Sequence, residues 1–271
     1  MMKKLKLCLI TASIMTSSAH AGDLSVTLGG VYNSANSNAS LGIPILGAKL
    51  KVDAESHLDL AEKNLSPYVK IEYNFDSGNS VYMDWRSLHR HARTSVSSDP
   101  IKILGSEFKA DATLDLNLDI DIARIGYAHR IISTDNFDLD AMLGLHLIQL
   151  SGKGGISANI NEGGQDWLSF NTKGKKNSLA PMPNMGVRGS YRLTQNLGLA
   201  SHLEAFMLST RLFDGHLIDF NFGAYYQITD SLILNASYNH YEIGVEYGDS
   251  LLNANMGVDF SGPMLALQYK F

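Results

Sequence analysis

Cysteine is almost absent from this chain of 271 residues, and the one cysteine is Cys8. If Cys8 is removed, the chain forms no disulfide and no thiolate metal site. Long apolar runs are also missing, because no stretch of about 18 apolar residues follows Ala21, so a transmembrane helix is not expected there. The formal net charge is −5 and both signs are spread along the chain, which argues against a nucleic-acid partner.

The first 21 residues have the pattern of a secretory signal peptide. Lysines at the start precede a short apolar run over 7–15, and a small-x-small sequence ends at Ala21. We expect cleavage after Ala21, which leaves residues 22–271 as one exported domain. Cys8 lies in the removed part, so we predict a mature chain that is free of cysteine.

Apolar and polar residues alternate along most of the remaining chain. In 110–122 every even position is apolar. Every odd position is polar and is an aspartate except at Thr113 and Asn117. The segments 139–147 and 232–238 alternate similarly. A period of two is typical of β-strands. Short polar turns at 76–79, 133–136, 194–196 and 229–231 alternate with longer connections near 35–65, 93–106, 151–181, 210–215 and 248–254.

This arrangement predicts ten antiparallel strands, with eight or twelve as alternative counts. An even number of strands, with short turns at one end and longer loops at the other, is typical of a closed transmembrane β-barrel. Several strands are longer than a bilayer requires, so we expect them to extend beyond the membrane on the loop side. A secreted β-sandwich is the alternative, because it has the same period.

The last predicted strand carries apolar residues on one face and ends on an aromatic residue. That face consists of Leu265, Leu267, Tyr269 and Phe271. It resembles the C-terminal signature by which the barrel assembly machinery recognises outer membrane barrels. This resemblance implies the assembly machinery and outer membrane lipid as partners.

The run over 260–271 resembles the closing strand of a group of single-barrel Gram-negative outer membrane proteins that has no agreed activity. The stretches 125–146 and 183–191 resemble the same group, and OmpW-type and OmpA-type barrels are more distantly similar. The resemblance implies the barrel fold and a location in the outer membrane of a Gram-negative bacterium. It implies no activity, since fold does not assign function.

Three predicted strands exchange their apolar face along their length. Near the short turns the apolar residues face lipid; towards the loops water replaces lipid outside, so Asp115, Asp119 and Asp121 are expected to face out. The apolar residues there have inward parity and predict an apolar vestibule, with a filled core or a β-bulge as alternatives. The vestibule residues are Leu114, Leu116, Leu118, Ile120, Ile122, Tyr241, Ile243, Val245, Met256, Val258 and Phe260.

Below the vestibule, inward parity selects charged side chains. Opposite charges in a narrow lumen are expected to pair, because an unpaired buried charge is costly. The belt forms either a salt-bridged plug or a charged constriction in a pore. Its residues are Lys70, Glu72, Asp84, Arg86, Arg124, Arg130, Arg188, Arg192, Glu204 and Asp219.

Catalytic and metal-binding patterns are weak in this sequence. Ser87 and His89 share a strand face, but it is the outward one, whereas Ser201 and His202 point to opposite faces. We therefore expect no enzyme, no cofactor and no metal site, with a lipid A or phospholipid hydrolase as the minor alternative.

The first functional hypothesis is a small porin-like passive channel or uptake barrel for small or hydrophobic solutes. The second is a structural or surface-interaction barrel with a closed, salt-bridged lumen, whose loops bind lipopolysaccharide or a partner protein.

Overall fold

A computed structural model describes residues 22–43, 48–53, 55, 62–97, 101–103, 106–162, 165–209, 213–248 and 253–271. The predicted signal peptide over 1–21, including Cys8, lies outside the described residues. Among those described, no helix is long and apolar enough to cross a membrane.

The described residues form one antiparallel sheet that closes on itself. The last strand pairs with the first, from Ser25↔Lys270 to Gly42↔Asn253, so the predicted ten-stranded barrel is confirmed. Among the described residues, the short strand β2 pairs only with β1, and the short strand β5 pairs only with β6, so neither is one of the ten barrel strands. The strands are β1 (Gly22–Ile43), β2 (Ala48–Asp53), β3 (Lys63–Phe75), β4 (Ser80–Ser97), β5 (Ile101–Ile103), β6 (Ser106–Ser133), β7 (Phe137–Glu162), β8 (Gln165–Arg192), β9 (Leu197–Ser209), β10 (Phe213–Gln227), β11 (Leu232–Gly248) and β12 (Asn253–Lys270).

The predicted connection over 151–181 is wrong in its extent, because most of it is strand. β7 and β8 remain paired out to Glu162↔Gln165 and form one long hairpin. The predicted connection over 35–65 likewise contains the end of β1 and all of β2. The Gly-, Asn- and Lys-rich sequence of this hairpin lacks apolar alternation, so it gave no strand signal.

Every barrel strand exposes large apolar side chains on the outer face. A closed sheet with an apolar outer belt satisfies its backbone hydrogen bonds internally, as a membrane-spanning structure must. We call this belt the girdle, and one exposed residue from each barrel strand marks it: Leu28, Ile71, Met83, Ile125, Leu143, Met185, Leu203, Phe222, Tyr238 and Leu265.

The barrel wall is interrupted at two seams on the loop side of the girdle. The β3–β4 ladder ends at Tyr68↔Arg86, and the β8–β9 ladder ends at Met185↔Ala205. Beyond these pairs, β4 continues beside β6, and β8 continues beside β7. The upper barrel is therefore divided between a β4–β6–β7–β8 sheet and the remaining strands.

Prolines explain where the β3–β4 seam begins. The amide of Phe75 donates to the Asn79 carbonyl at 2.9 Å, towards β4. Amides alternate sides along an antiparallel strand, so the amide position of Pro67 also faces β4, and proline has no N–H to donate. The last pair of the ladder is at Tyr68, the residue next to Pro67.

The same rule holds at the β8–β9 seam. The amide of Arg192 donates to the Asn136 carbonyl at 2.8 Å, towards β7. Odd-numbered amide positions of β8 therefore face β9, and two of them are Pro181 and Pro183. The ladder stops at Met185, next to these missing donors.

Candidate functional site in the lumen

A packed apolar layer crosses the barrel at the loop-side edge of the girdle. Leu118 and Val245 pack against it, whereas the side chains of Leu114, Leu116 and Met256 lie outside the part that the structure describes. The buried residues of this layer pack against one another across the barrel. Its buried members are Ala35, Leu88, Ile120, Ile122, Ile148, Met182, Leu217, Tyr241, Ile243, Val258 and Phe260.

The parity exchange that predicts this layer also places the aspartates. Asp119 and Asp121 are partly exposed on the opposite face of β6 from Ile120 and Ile122, which are 1 % exposed. The side chain of Asp115 lies outside the described part. Burial therefore alternates along β6 in the sense expected for a strand with water outside and apolar packing inside.

Directly below the apolar layer, Arg124 of β6 connects three carboxylates across the lumen. Its Nε donates to Asp84 Oδ2 at 2.7 Å, its Nη1 lies 3.3 Å from Asp219 Oδ2, and it also pairs with Glu204. These acids belong to β4, β9 and β10, so one guanidinium links four strands. All four side chains are at most 2 % exposed.

Asp219 is the second residue that several charged side chains contact, and we call the whole group around Arg124 and Asp219 the central cluster. Arg86 Nη2 donates to Asp219 Oδ2 at 3.1 Å. His202 Nε2 lies 3.3 Å from the other carboxylate oxygen, and His146 Nε2 lies 3.6 Å from Oδ2. Two arginines thus face three carboxylates, and the cluster carries more acid than base when its histidines are neutral.

Aromatic rings enclose the two arginines. The Arg86 guanidinium lies 5.7 Å from the Tyr68 ring and 5.2 Å from the Tyr241 ring, and the Arg124 guanidinium lies 5.1 Å from the Tyr82 ring. Such cation–π contacts gain strength where water is excluded. The rings hold the guanidinium planes in position and separate them from solvent.

A second ionic cluster lies closer to the short turns. Arg188 pairs with Glu72 and, at 2.6 Å, with Asp140; Arg130 pairs with Asp140 and, at 2.7 Å, with Asp138. Lys70 Nζ lies 2.7 Å from Glu72. We call this group the turn-side cluster. Its cationic side chains are 20–26 % exposed, whereas the two arginines of the central cluster are at most 6 % exposed.

One predicted belt residue does not join either cluster. Arg192 is exposed at the end of β8, and its Nη1 donates to the Asp135 carbonyl at 3.2 Å. Its inward parity has no consequence at the mouth of the barrel, where the lumen is open to solvent.

A polar cavity adjoins the two clusters on the β9–β12 side. It encloses about 770 Å³ of space that includes open solvent, and small residues such as Ala200 and Gly223 leave the room for it. Lys70, Arg188 and His202 line it as well.

Sequence reasoning missed uncharged members of the central cluster. Tyr82 Oη lies 3.4 Å from Glu204, and Asn184 donates to the same carboxylate. Both residues have the inward parity of their strands, Tyr82 beside Asp84 and Asn184 four residues before Arg188. Parity is the signal that finds them once uncharged hydrogen-bonding residues are considered along with the charged ones.

The two serine–histidine candidates lie in different surroundings. Ser87 Oγ lies 3.1 Å from His89 Nδ1, and Ser87 is 1 % exposed. Ser201 Oγ instead donates to the Asn221 carbonyl at 2.9 Å. Within the described ranges, no group of three or more His, Cys, Asp or Glu residues is arranged to hold a metal ion.

The outer face of the last strand presents the predicted C-terminal signature to lipid. Leu265, Leu267, Tyr269 and Phe271 are each about half exposed or more. Tyr269 and Phe271 contact each other edge to face, with ring centroids 4.9 Å apart.

No protein-family model matches the chain, and no curated protein matches it. Among solved structures, the outer membrane protease OmpT from Escherichia coli is similar with a TM-score of 0.55 and 11% identity, over 91% of this chain and 97% of that one. The toluene transporter TodX from P. putida gives a TM-score of 0.35 and 12% identity, over 92% and 90% of the two chains. Ail from Yersinia pestis gives 0.29 and 14%, over 93% and 99%.

The likeness to OmpT is one of fold. Together with the closed ten-stranded sheet and its exposed apolar girdle, it shows that this chain has the fold of outer membrane β-barrels.

Proposed function

We propose that this protein is a closed-lumen outer membrane barrel that acts at the cell surface, the second of the two sequence-based hypotheses. The observation that supports the proposal is that two packed layers cross the lumen. Arg124 links β4, β6, β9 and β10 through buried ion pairs, and the buried apolar layer lies above it. A passive channel needs a continuous aqueous path, which two such layers disfavour.

The long hairpin of β7 and β8 supports a role outside the membrane. The two strands have 26 and 28 residues, whereas crossing a bilayer takes about 9–11. More than half of each strand therefore stands beyond the girdle. A paired extension of this length offers a long surface above the membrane.

Lipopolysaccharide is the partner that we propose for this extension. The register places Lys153 directly opposite Lys175, with Lys173 and Lys176 close by on β8. Like charges directly opposite each other destabilise an antiparallel pair. Phosphate groups of the outer-leaflet lipid would remove that repulsion, because lysine is a good point-charge partner for phosphate.

Conductance tests the closed lumen. Purified wild-type protein in a planar bilayer is expected to give no steady single-channel current. A variant in which Arg124→Ala, Tyr241→Ala and Phe260→Ala open both layers is the positive control, with its folding checked by the heat-dependent shift in gel mobility. Steady conductance of the wild type would support the porin-like channel instead.

Lipid binding tests the surface role. We expect Lys153→Gln with Lys175→Gln to weaken binding of purified lipopolysaccharide at least fivefold, an effect of about 1 kcal/mol. Lys63→Gln, at the exposed start of β3, is the matched control and should bind as the wild type does. Equal binding by the double variant and the control would contradict the proposed partner.

The remaining expectations accompany this proposal. We propose that the barrel is not an enzyme, supported by the burial of Ser87, and that the exposed face of Leu265, Leu267, Tyr269 and Phe271 engages the barrel assembly machinery. Lipid A mass spectra of cells with and without the protein test the first point. Assembly of a Phe271→Ser variant tests the second.

A further inference from the structure

The polar cavity that adjoins the two ionic clusters has a charged half and an uncharged half. Its charged lining residues lie on β3, β4, β6 and β8, and His202 of β9 lies at the border. The uncharged half belongs to β1 and β9–β12, which are consecutive around the closed sheet. Its hydrogen-bonding side chains include Thr27, Asn221, Asn235, Ser237, Asn239 and Gln268.

The side chains of the uncharged half point into the lumen, because residues two apart on a strand share a face. Asn221 lies two residues from Asp219, which belongs to the central cluster and is fully buried. Asn235 lies two residues from Ile233 and four from Asn239, which are 7 % and 4 % exposed. These amides therefore border the cavity and not the lipid.

Part of the uncharged half is already ordered by its own hydrogen bonds. Asn221 Nδ2 donates to Ser237 Oγ at 2.8 Å and to Asn239 Oδ1 at 2.9 Å. These bonds leave the side-chain oxygen of Asn221 and the hydroxyl proton of Ser237 available. Asn235 and Gln268 make no side-chain hydrogen bond to another residue in the described part of the chain. This half therefore offers both donors and acceptors to a ligand, and some of them are held in position.

The cavity has room for a molecule the size of a six-membered ring. About 150 Å³ of it can be occupied by the centres of water-sized molecules. A cavity of roughly 150 Å³ in another protein holds benzene. The space continues into open solvent, so a ligand enters without the separation of any strands.

The charges around the cavity favour a neutral ligand. In the turn-side cluster, Lys70, Arg130 and Arg188 are balanced by their three acid partners. The central cluster has three carboxylates for two arginines, so an added anion would increase an existing excess of negative charge. A cation would instead meet the four cationic side chains that line the cavity. A neutral molecule avoids both penalties.

Hydrogen-bonding capacity determines what kind of neutral molecule fits. An apolar ligand would displace water from the amides and guanidiniums without replacing its hydrogen bonds, which is costly. A hydroxyl donates one hydrogen bond and accepts two, so a ring with several hydroxyls can pair with donors such as Lys70 and acceptors such as Asn221 Oδ1. We propose that this cavity binds a neutral monosaccharide in its pyranose form, from the turn side of the barrel. Binding there is independent of the surface role and needs no passage through the lumen.

Titration of the full chain in lipid nanodiscs tests the proposal. The side-chain amide NMR signals of Asn235 and Gln268 are followed with glucose, galactose and mannose, with the uronate of each sugar, and with cyclohexanol. We expect at least one neutral sugar to shift both signals and to bind about fivefold or more tightly than its uronate and than cyclohexanol, since each lacks a hydroxyl or adds a charge.

Three results would overturn the proposal. A uronate that binds as tightly as its neutral sugar would contradict the argument from charge. Cyclohexanol that binds as tightly would contradict the argument from hydroxyl groups. If no neutral sugar shifts the two signals, the cavity holds only water.

Matched variants locate the site. Ala200→Leu fills the cavity and is expected to weaken sugar binding about fivefold or more, whereas Ala236→Leu, on the exposed outer face of β11, should bind as the wild type does. Asn235→Leu should also weaken binding, and Asn74→Leu, on β3 outside the cavity lining, should not. Unchanged binding by both Ala200→Leu and Asn235→Leu would refute the site. If a variant fails to fold, the ligand comparison on the wild type still decides.

Discussion

The lumen holds two ionic clusters built from the same residue types, and they differ in their access to water. The central cluster around Arg124 is at most 6 % exposed at its arginines, whereas Lys70, Arg130 and Arg188 of the turn-side cluster are 20–26 % exposed. A charge that loses its partner in the central cluster has little solvent to replace it, whereas a charge near the mouth has more. The same chemical bond therefore contributes to stability very differently at the two levels.

Arg124→Ala should give the largest effect. It leaves Asp84 and Glu204 buried without their strongest partner, so the free energy of unfolding is expected to fall by about 3–5 kcal/mol. Urea unfolding in lipid vesicles measures it. Arg192→Ala, at the exposed mouth, is the control and should change stability by less than about 0.5 kcal/mol. Equal effects for the two variants would mean that the central cluster is not dry.

Arg188→Ala is the equivalent change in the turn-side cluster. It removes bonds to Glu72, Asp140 and Ser80, yet Lys70 still pairs with Glu72 and Arg130 with Asp140, so we expect a loss of about 1.5–3 kcal/mol. Salt separates the two cases. In about 1 M NaCl, where the Debye length is about 3 Å, the effect of Arg188→Ala should shrink and that of Arg124→Ala should not. The same salt dependence for both would remove the contrast.

Tyr82→Phe removes only a hydroxyl from the central cluster. Its Oη lies 3.4 Å from both oxygens of Glu204, a long contact, and the Arg124–ring contact survives the change. The expected loss is about 1 kcal/mol in the same urea experiment. A loss as large as that of Arg124→Ala would show that Tyr82, not Arg124, holds Glu204 in place.

The position of Tyr82, which sequence reasoning missed, also shows what period and parity reveal. Parity alone predicts that Ile122, Asp84 and Arg124 face the lumen, because a strand has only two faces and the solvent outside decides which one is apolar. Parity does not predict which charged side chains pair, because the curvature of the barrel brings β6 opposite β9 and β10. Nor does it show which strands separate: that depends on the side to which the amide position of Pro67 points, and this requires the register.

The smallest effect is expected for Lys70→Ala in the turn-side cluster. Lys70 has one ion-pair partner, Glu72 at 2.7 Å, and that carboxylate keeps Arg188 and the Ser80 hydroxyl at 2.9 Å after the change. Because no charge is left alone and water is nearby, the loss should be about 0.5 kcal/mol and should disappear at high salt. Lys70→Met, which keeps the length of the side chain, separates charge from packing over the Tyr82 ring, 5.6 Å away. A loss above about 2 kcal/mol, outside the range for water-exposed pairs, would mean that the turn-side cluster is as dry as the central one.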